Sequence, residues 1–432
     1  MRHCLRALWI ALSVVGASWA CASGADNGVA QKPLMGWSSW SALRGPGNEA
    51  RIKGEADVMA EKLEPFGYTY INLDSGWDRG YDANGRPETD KSRFPGGMEG
   101  LAAYLHSKGL KLGIYLMPGL PDAVFQANPT ILGTPVKIRD IVDPNRTGDT
   151  LGRNHAIDYT KPGAAEYIQS CVDLFASWGV DYMKMDFVGP GGGKVASDNR
   201  EDIKAWMTAI KKNGRPIWLE LSNSLKLEYV DTWKAYANGW RIEGDVEGYH
   251  TNFLTNWAKV SKRFDDAVKW AGQGGPGGWN DMDSVEVGAG EKDGLTENER
   301  YSVFTLWSIC CSPIILGPDL AQLDDGDLKI ITNPEVIAVH QAGRPATPIV
   351  SQGDGRVWEI QNPDGTSYVA FFNLGASAET ITVTPAQIHM TGTMMVHDLW
   401  SKSDLGTVTN GIQVPLDSHA CRLLKLTPYH PI

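Results

Sequence analysis

The sequence is short of positive charge, of histidine, of paired cysteines and of long apolar runs, and each shortage removes a class of function. Against 51 aspartates and glutamates stand only 40 lysines and arginines, for a formal net charge of −11. Nucleic-acid phosphates and anionic lipid both call for clustered cations, so no nucleic-acid partner and no electrostatic membrane docking are expected. The 9 histidines are scattered without metal-ligand spacing, and His155 and His250 read as loop residues. None of the 6 cysteines forms a CxxC pair, which argues against a structural zinc site. With Cys4 and Cys21 set aside in the N-terminal segment, Cys171, Cys310, Cys311 and Cys421 remain. Cys310 and Cys311 fall in the apolar run Leu306–Leu316 and read as buried; one disulfide among the four stays open. Gly189–Lys194 has the glycines of a phosphate loop, but Val195 stands where such a loop needs Ser or Thr, so it reads as a flexible turn.

No run is long enough to cross a bilayer. Residues 1–22 instead have the three parts of a secretory signal: Arg2 and Arg6, the apolar Leu5–Val15, and the small residues around Ala20-Cys21-Ala22. A secreted or periplasmic protein is expected. What the chain has in surplus is tryptophan, 16 residues, which hints at platforms for sugar or aromatic ligands beside the tryptophans any core needs.

From residue 33 onward short apolar runs alternate with amphipathic segments, the pattern of parallel strands joined by helices. Strands are predicted at Leu34–Trp37, Tyr68–Asp74, Leu110–Leu116, Tyr182–Asp186, Pro216–Leu221, Gly239–Arg241, Gly277–Asp281 and Pro313–Leu316. Helices are predicted at Glu49–Phe66, Gly97–Lys108, Ala164–Trp178, Arg200–Asn213 and Asn298–Ser312. Eight such units make a (β/α)8 barrel over 33–345. From about 346 to 432 the runs around Val357–Asn362 and Tyr368–Asn373, split by Pro363-Asp364-Gly365, predict a small antiparallel β domain. Residues 117–158 form a long Pro- and Gly-rich insertion, expected on the C-terminal face of the barrel.

Charged and aromatic residues gather at the C-terminal ends of these strands: Trp40, Asp74, Tyr115, Lys184, Asp186, Arg241, Asp281 and Asp283. That rim carries the catalytic groups of barrel enzymes. Carboxylates with a few cations among aromatic faces, and no histidine cluster, suit cleavage of a glycosidic bond by two acids. Asp186 lies two residues after Lys184, so a strand points both to one side, where the cation would favour the ionised carboxylate. Spacing alone leaves a structural ion pair equally open there. For Arg241 and Asp245, four apart, spacing alone favours a surface ion pair.

Taken together these residues resemble glycoside hydrolase family 27, which includes α-galactosidases and α-N-acetylgalactosaminidases. The matching segments are Met35-Gly36-Trp37 with Trp40, Gly67–Asp74 with Trp77, Arg93-Phe94-Pro95, His106–Tyr115, Trp178–Asp181 with Lys184 and Asp186, Gly214–Ile217, Trp240-Arg241 with Asp245, and Gly277–Asp281 with Asp283. The resemblance implies a retaining exo-glycosidase that releases terminal α-linked galactose-type sugars without metal or organic cofactor. Asp186 would be the nucleophile and Asp245 the acid/base, with their carboxyl groups about 5–5.5 Å apart. Trp40, Asp74, Tyr115 and Lys184 would contact the sugar, Arg241 would lie near its 2-position, and Asp281 and Asp283 would complete the site. Two departures bear on the substrate, an oligosaccharide or glycoconjugate. Ser75 stands where members commonly carry a second acid, and Ser222 falls where galactosidases place a Glu and galactosaminidases a Ser, with Glu220 taking that position if the register is two residues off. α-N-acetylgalactosaminidase, β-L-arabinopyranosidase and isomaltodextranase activities therefore stay open. The intact pair Asp186 and Asp245 argues against a catalytically silent sugar-binding barrel.

Overall fold

A computed structural model describes Ala25 and residues 27–429; the N-terminal signal reading lies outside the described residues. Eight parallel strands form one sheet: β1 Met35–Ser38, β2 Tyr70–Leu73, β3 Lys111–Leu116, β4 Val180–Met185, β5 Trp218–Leu221, β6 Gly239–Arg241, β7 Trp279–Asp281 and β8 Ile314–Leu316. Each is followed by a helix: α1 Glu49–Lys62, α2 Gly97–His106, α3 Ala164–Trp178, α4 Arg200–Asn213, α5 Val230–Tyr236, α6 Lys262–Lys269, α7 Glu297–Ile309 and α8 Pro334–Gln341. The spatial order runs β7-β6-β5-β4-β3-β2-β1-β8. The ring closes where the chain beyond β7 pairs with β8 through a parallel bridge between Val285 and Leu316, with Val285 N donating to Ile315 O at 2.8 Å. The expected (β/α)8 architecture is the one found.

These segments become strands because both faces are buried. β2 and β5 are covered along their whole length, as a parallel strand between barrel interior and helices must be. Alternation then sorts the interior by height, because residues two apart in a strand point the same way. Tyr70, Tyr182, Trp218 and Trp279 plug the lower barrel, with the Tyr70 ring edge-on to Tyr182 and Trp218 at 6.0 and 6.4 Å. Two residues further along the same strands come Asn72, Lys184, Glu220 and Asp281, and two further again come Asp74, Asp186, Ser222 and Asp283. Polarity thus rises towards the C-terminal rim. Gly239 belongs to this arrangement: a Cβ there would collide with the Glu220 carboxylate.

The insertion forms a three-stranded sheet from Leu120–Pro121, Asn154–Ile157 and Val142–Thr147. The Gly189–Lys194 turn is tied to it and to the β5 end, through Lys194 N to Thr150 O at 2.7 Å and Gly192 N to Ser224 O at 2.9 Å; it is braced rather than free.

Beyond α8 the chain builds eight antiparallel strands: β9 Thr347–Val350, β10 Gly355–Gln361, β11 Ser367–Asn373, β12 Glu379–Val383, β13 Met394–Asp398, β14 Ser403–Val408, β15 Ile412–Leu416 and β16 Cys421–Pro428. Six form a sheet in the order β9-β10-β11-β16-β13-β14, and β12 pairs with β15. Val357, Phe371, Ile381, Val414 and Leu424 share the core between them. This domain is joined to the barrel by aromatic contacts: Phe264 of α6 lies 5.7 Å from Trp358 and 5.0 Å from Phe372, and Tyr301 of α7 lies 4.6 Å from Trp400.

Most of the tryptophan surplus is structural. Trp37, Trp77, Trp218, Trp233, Trp240, Trp279, Trp307 and Trp358 are among the largest fully buried side chains. Cys171, Cys310, Cys311 and Cys421 are all free thiols, and burial pushes Cys171 and Cys310 up to about 12 and Cys421 to about 11. Among the described residues no helix is long and apolar enough to cross a membrane.

Candidate active site

The site occupies the C-terminal rim of the barrel. Asp74 follows β2, and its Oδ2 accepts from Lys184 Nζ of β4 at 2.8 Å, with both side chains largely buried. Lys184 Nζ also lies 5.9 Å from the Tyr115 ring centroid. Local spacing couples Lys184 to Asp186; the direct partner is instead Asp74, two strands away, a pairing no local spacing announces. Burial works against the ammonium, but Asp74 and Asp186 together hold its pKa well above the usual lysine value.

Asp186 caps β4, where its Oδ1 accepts from Phe187 N at 2.9 Å. Its carboxyl also meets the Ser222 and Tyr115 hydroxyls. Burial raises it above the ordinary carboxylate range; Lys184 pulls the other way without overturning that direction. Phe187 sits at φ 55° and Asp283 at φ 81°, strained conformations for residues with a Cβ, of the kind that accumulate where geometry serves function.

Asp245 lies four residues beyond Arg241, on the loop leaving β6. Arg241 Nη2 donates to Asp245 Oδ1 at 3.1 Å while its Nη1 meets Asp283 Oδ1 at 2.7 Å. This is no surface ion pair: the Arg241 side chain is 3% exposed, whereas that of Asp245 is 37% exposed and faces the mouth. Burial raises the Asp245 carboxyl, but Arg241, Tyr249 and Lys184 outweigh it and bring it down to about 2. The same loop places Tyr249, whose hydroxyl donates to Asp245 Oδ2 at 2.6 Å and accepts from Trp40 Nε1 at 2.9 Å.

Ser222 is buried beside Asp186, whereas Glu220 sits one step lower. Glu220 Oε2 accepts from Trp218 Nε1 at 2.8 Å, and burial together with Asp281 holds its carboxyl well above the usual range. Asp281 shares that lower position. Its Oδ1 accepts from Asp283 N at 2.7 Å, and burial pushes it up to about 6. Asn72, Lys184, Glu220, Arg241 and Asp281, together with Trp40, Ser222 and Asp283, line a void of about 30 Å³, room for about one water. Ser75 is exposed, and its N–H donates to Asp74 Oδ1 at 2.8 Å.

Three groups escaped the sequence reading: Tyr249, Glu247 and Glu286. Ser41 Oγ donates to Glu247 Oε1 at 3.0 Å, and Ser284 Oγ to Glu286 Oε1 at 2.7 Å. Burial drives Glu247 well above the usual range and Glu286 to about 7. One oxygen each from Asp245, Glu247 and Asp283 fall within 4.8 Å of one another. The Arg241 guanidinium bonds two of the three, so a cation is already built into the cluster.

Acids and cations at the strand ends of a (β/α)8 barrel, with one carboxylate half-buried and another exposed at the mouth, are the equipment of a glycoside hydrolase. Comparison with known proteins places the chain in that class. The family described as Alpha galactosidase A matches residues 33–125 and 149–342, and the Alpha galactosidase C-terminal beta sandwich domain matches 352–426. An α-galactosidase of Cyamopsis tetragonoloba is 33% identical over 94% of this chain and 88% of its own length. A β-L-arabinopyranosidase of glycoside hydrolase family 27 from Geobacillus stearothermophilus superposes with TM-score 0.86 at 32% identity, covering 93% of this chain and 98% of the other. α-Galactosidase I from Mortierella vinacea gives TM-score 0.75 at 27% identity, over 93% and 98%. The chain belongs to the alpha galactosidase A family, glycoside hydrolase family 27. Residues 126–148, within the insertion expected at 117–158, fall outside the family match.

Proposed function

We propose that this enzyme is a retaining exo-glycosidase that releases terminal α-linked galactose-type sugars from oligosaccharides or glycoconjugates. Asp186 is the nucleophile and Asp245 the acid/base. The observation that carries this reading is the asymmetry of the two carboxyls. Asp186 is half-buried beside Lys184, Ser222 and Tyr115, where a sugar ring replaces water; Asp245 is exposed and faces the mouth, where a leaving group departs and water arrives. In the first step Asp186 attacks the anomeric carbon while Asp245 gives its proton to the leaving oxygen. In the second, water adds to that carbon, its proton passes to Asp245, and the bond to Asp186 breaks. Asp74 and Lys184 bind sugar hydroxyls through charged hydrogen bonds of about 1.5–3 kcal/mol each. Asp283 fixes Arg241, and with it Asp245. Asp281 supports the site from below.

The identity of the bound terminal sugar is read from two positions. Ser222 leaves space at the 2-position for a hydroxyl or an acetamido group. Ser75 in place of an acid weakens the hold on the far side of the ring, and L-arabinopyranose lacks the hydroxymethyl group that galactose carries there. The arabinopyranosidase fold match favours that pentose as the second reading. A panel of nitrophenyl α-galactoside, α-N-acetylgalactosaminide, β-L-arabinopyranoside and α-glucoside decides between them by kcat/KM. The α-galactoside is expected to lead; preference for the arabinopyranoside selects the second reading, and preference for the glucoside contradicts both. Residues 1–22 direct export in this account, so N-terminal sequencing of the mature protein should begin after Ala22.

A further inference from the structure

The loop behind Asp245 presents a side chain that strand layering does not explain. Tyr249 spends its hydroxyl proton on Asp245 Oδ2 at 2.6 Å and takes a hydrogen bond from Trp40 Nε1 at 2.9 Å. Its ring is already engaged, with the Arg44 guanidinium 4.9 Å and the Lys259 ammonium 5.5 Å from the centroid. Cations packed on the π-face occupy the surface on which a sugar would stack, which leaves the hydroxyl as the working part. The loop is held at its base: Val246 N donates to Asp283 Oδ2 at 2.7 Å, Thr255 Oγ1 to Val246 O at 2.6 Å and Lys259 Nζ to Glu247 O at 2.5 Å.

We propose that Tyr249 is a positioning residue for Asp245, its hydroxyl orienting the acid/base carboxylate between the leaving group and the incoming water. The proposal rests on the acid/base reading of Asp245. Tyr249 keeps its own proton throughout. It contributes a hydrogen bond to the carboxylate when Asp245 has delivered its proton to the leaving oxygen, and gives that bond up when Asp245 regains a proton from water. The other charged and titratable groups around Asp245 include Arg241 of β6, Lys184 of β4, Lys259 of the helical turn Trp257–Val260, Glu243 and Glu247 of its own loop, Asp283, and Lys262, Arg263, Asp265, Asp266 and Lys269 of α6. All of them remain when the tyrosine hydroxyl is removed.

The test compares Tyr249→Phe and Asp245→Gly in the full enzyme, on a nitrophenyl glycoside that the wild type cleaves. Asp245→Gly with added azide should regain turnover and yield a glycosyl azide of the substrate's anomeric configuration, and should lose one limb of the kcat/KM–pH profile. In Tyr249→Phe that same limb should move up by about one pH unit, as expected when a hydrogen bond to the charged form is lost, with melting temperature unchanged. A limb that stays in place while azide rescue succeeds overturns the proposal alone, because a merely structural tyrosine lowers the rate without moving it. Failure of azide rescue removes the acid/base reading and the proposal together.

Discussion

Asp186 and Asp245 answer to different surroundings although each has a cation near it. Around Asp186 burial outweighs Lys184, whose ammonium is shared with Asp74, and the carboxyl is raised. Around Asp245 the direct Arg241 contact and the Tyr249 bond win, and the carboxyl falls to about 2. Asp245 is therefore ionised at neutral pH, and its protonated form gains weight towards acid pH. Loss of Asp245 should harm poor leaving groups most, since a good one departs without protonation. Asp245→Ala is expected to lose about 100-fold or more in kcat/KM on a natural oligosaccharide and far less on a dinitrophenyl glycoside. Equal losses on both would remove its acid role. That Asp186 and Asp245 lie together at the rim was legible in the sequence, Asp186 from its strand-end position and family resemblance, Asp245 from that resemblance and its four-residue offset from Arg241. Tyr249 and Glu247 were not legible, because a loop has no periodicity to mark which of its side chains meet the site.

At the scale of elements, the eight strands were legible because segments buried on both faces read as short apolar runs. Helix starts at Gly97, Ala164 and Arg200 were legible from the amphipathic pattern although no N-cap side chain caps them, whereas α7, predicted from Asn298, begins one residue earlier at Glu297, where a cap fixes it. There Thr296 accepts from Glu299 N while Glu299 Oε2 accepts from Thr296 N at 2.7 Å, closing a capping box. Thr296→Ala should cost about 1 kcal/mol, seen as a lower midpoint in urea with unchanged slope; no change would mean that the cap is idle. What escaped prediction in the C-terminal domain has a physical reason. β14 is exposed along nearly its whole length, so it has no buried face to advertise itself, and β15 carries Pro415, normally a mark against a strand. The lower position of Asp281 was hidden too, because its depth depends on the stagger between β6 and β7 rather than on its own neighbours.

For the whole molecule, the balance of buried acids sets how stability responds to pH. Burial pushes Glu55 and Asp293 up to about 7, and Asp202 and Asp281 to about 6. A carboxyl whose folded pKa is raised holds more protons in the native than in the unfolded state between about 4 and that raised value, so stability falls as pH rises through this window. His340, lowered by burial to about 4, acts in the opposite sense between about 4 and 6.5, but it is one group against several. The melting temperature should therefore be higher at pH 5 than at pH 8; the reverse order would show that these acids are not buried as described. The barrel and the β domain meet through Phe264, Trp358 and Phe372, so that melt should be a single transition.

The proposed mechanism is double displacement through two aspartates at the barrel rim. Its most direct test is the anomer of the sugar first released from a nitrophenyl glycoside, followed by proton NMR before mutarotation. Attack by Asp186 followed by water on the opposite face predicts a first product with the configuration of the substrate. A first product of inverted configuration would contradict it.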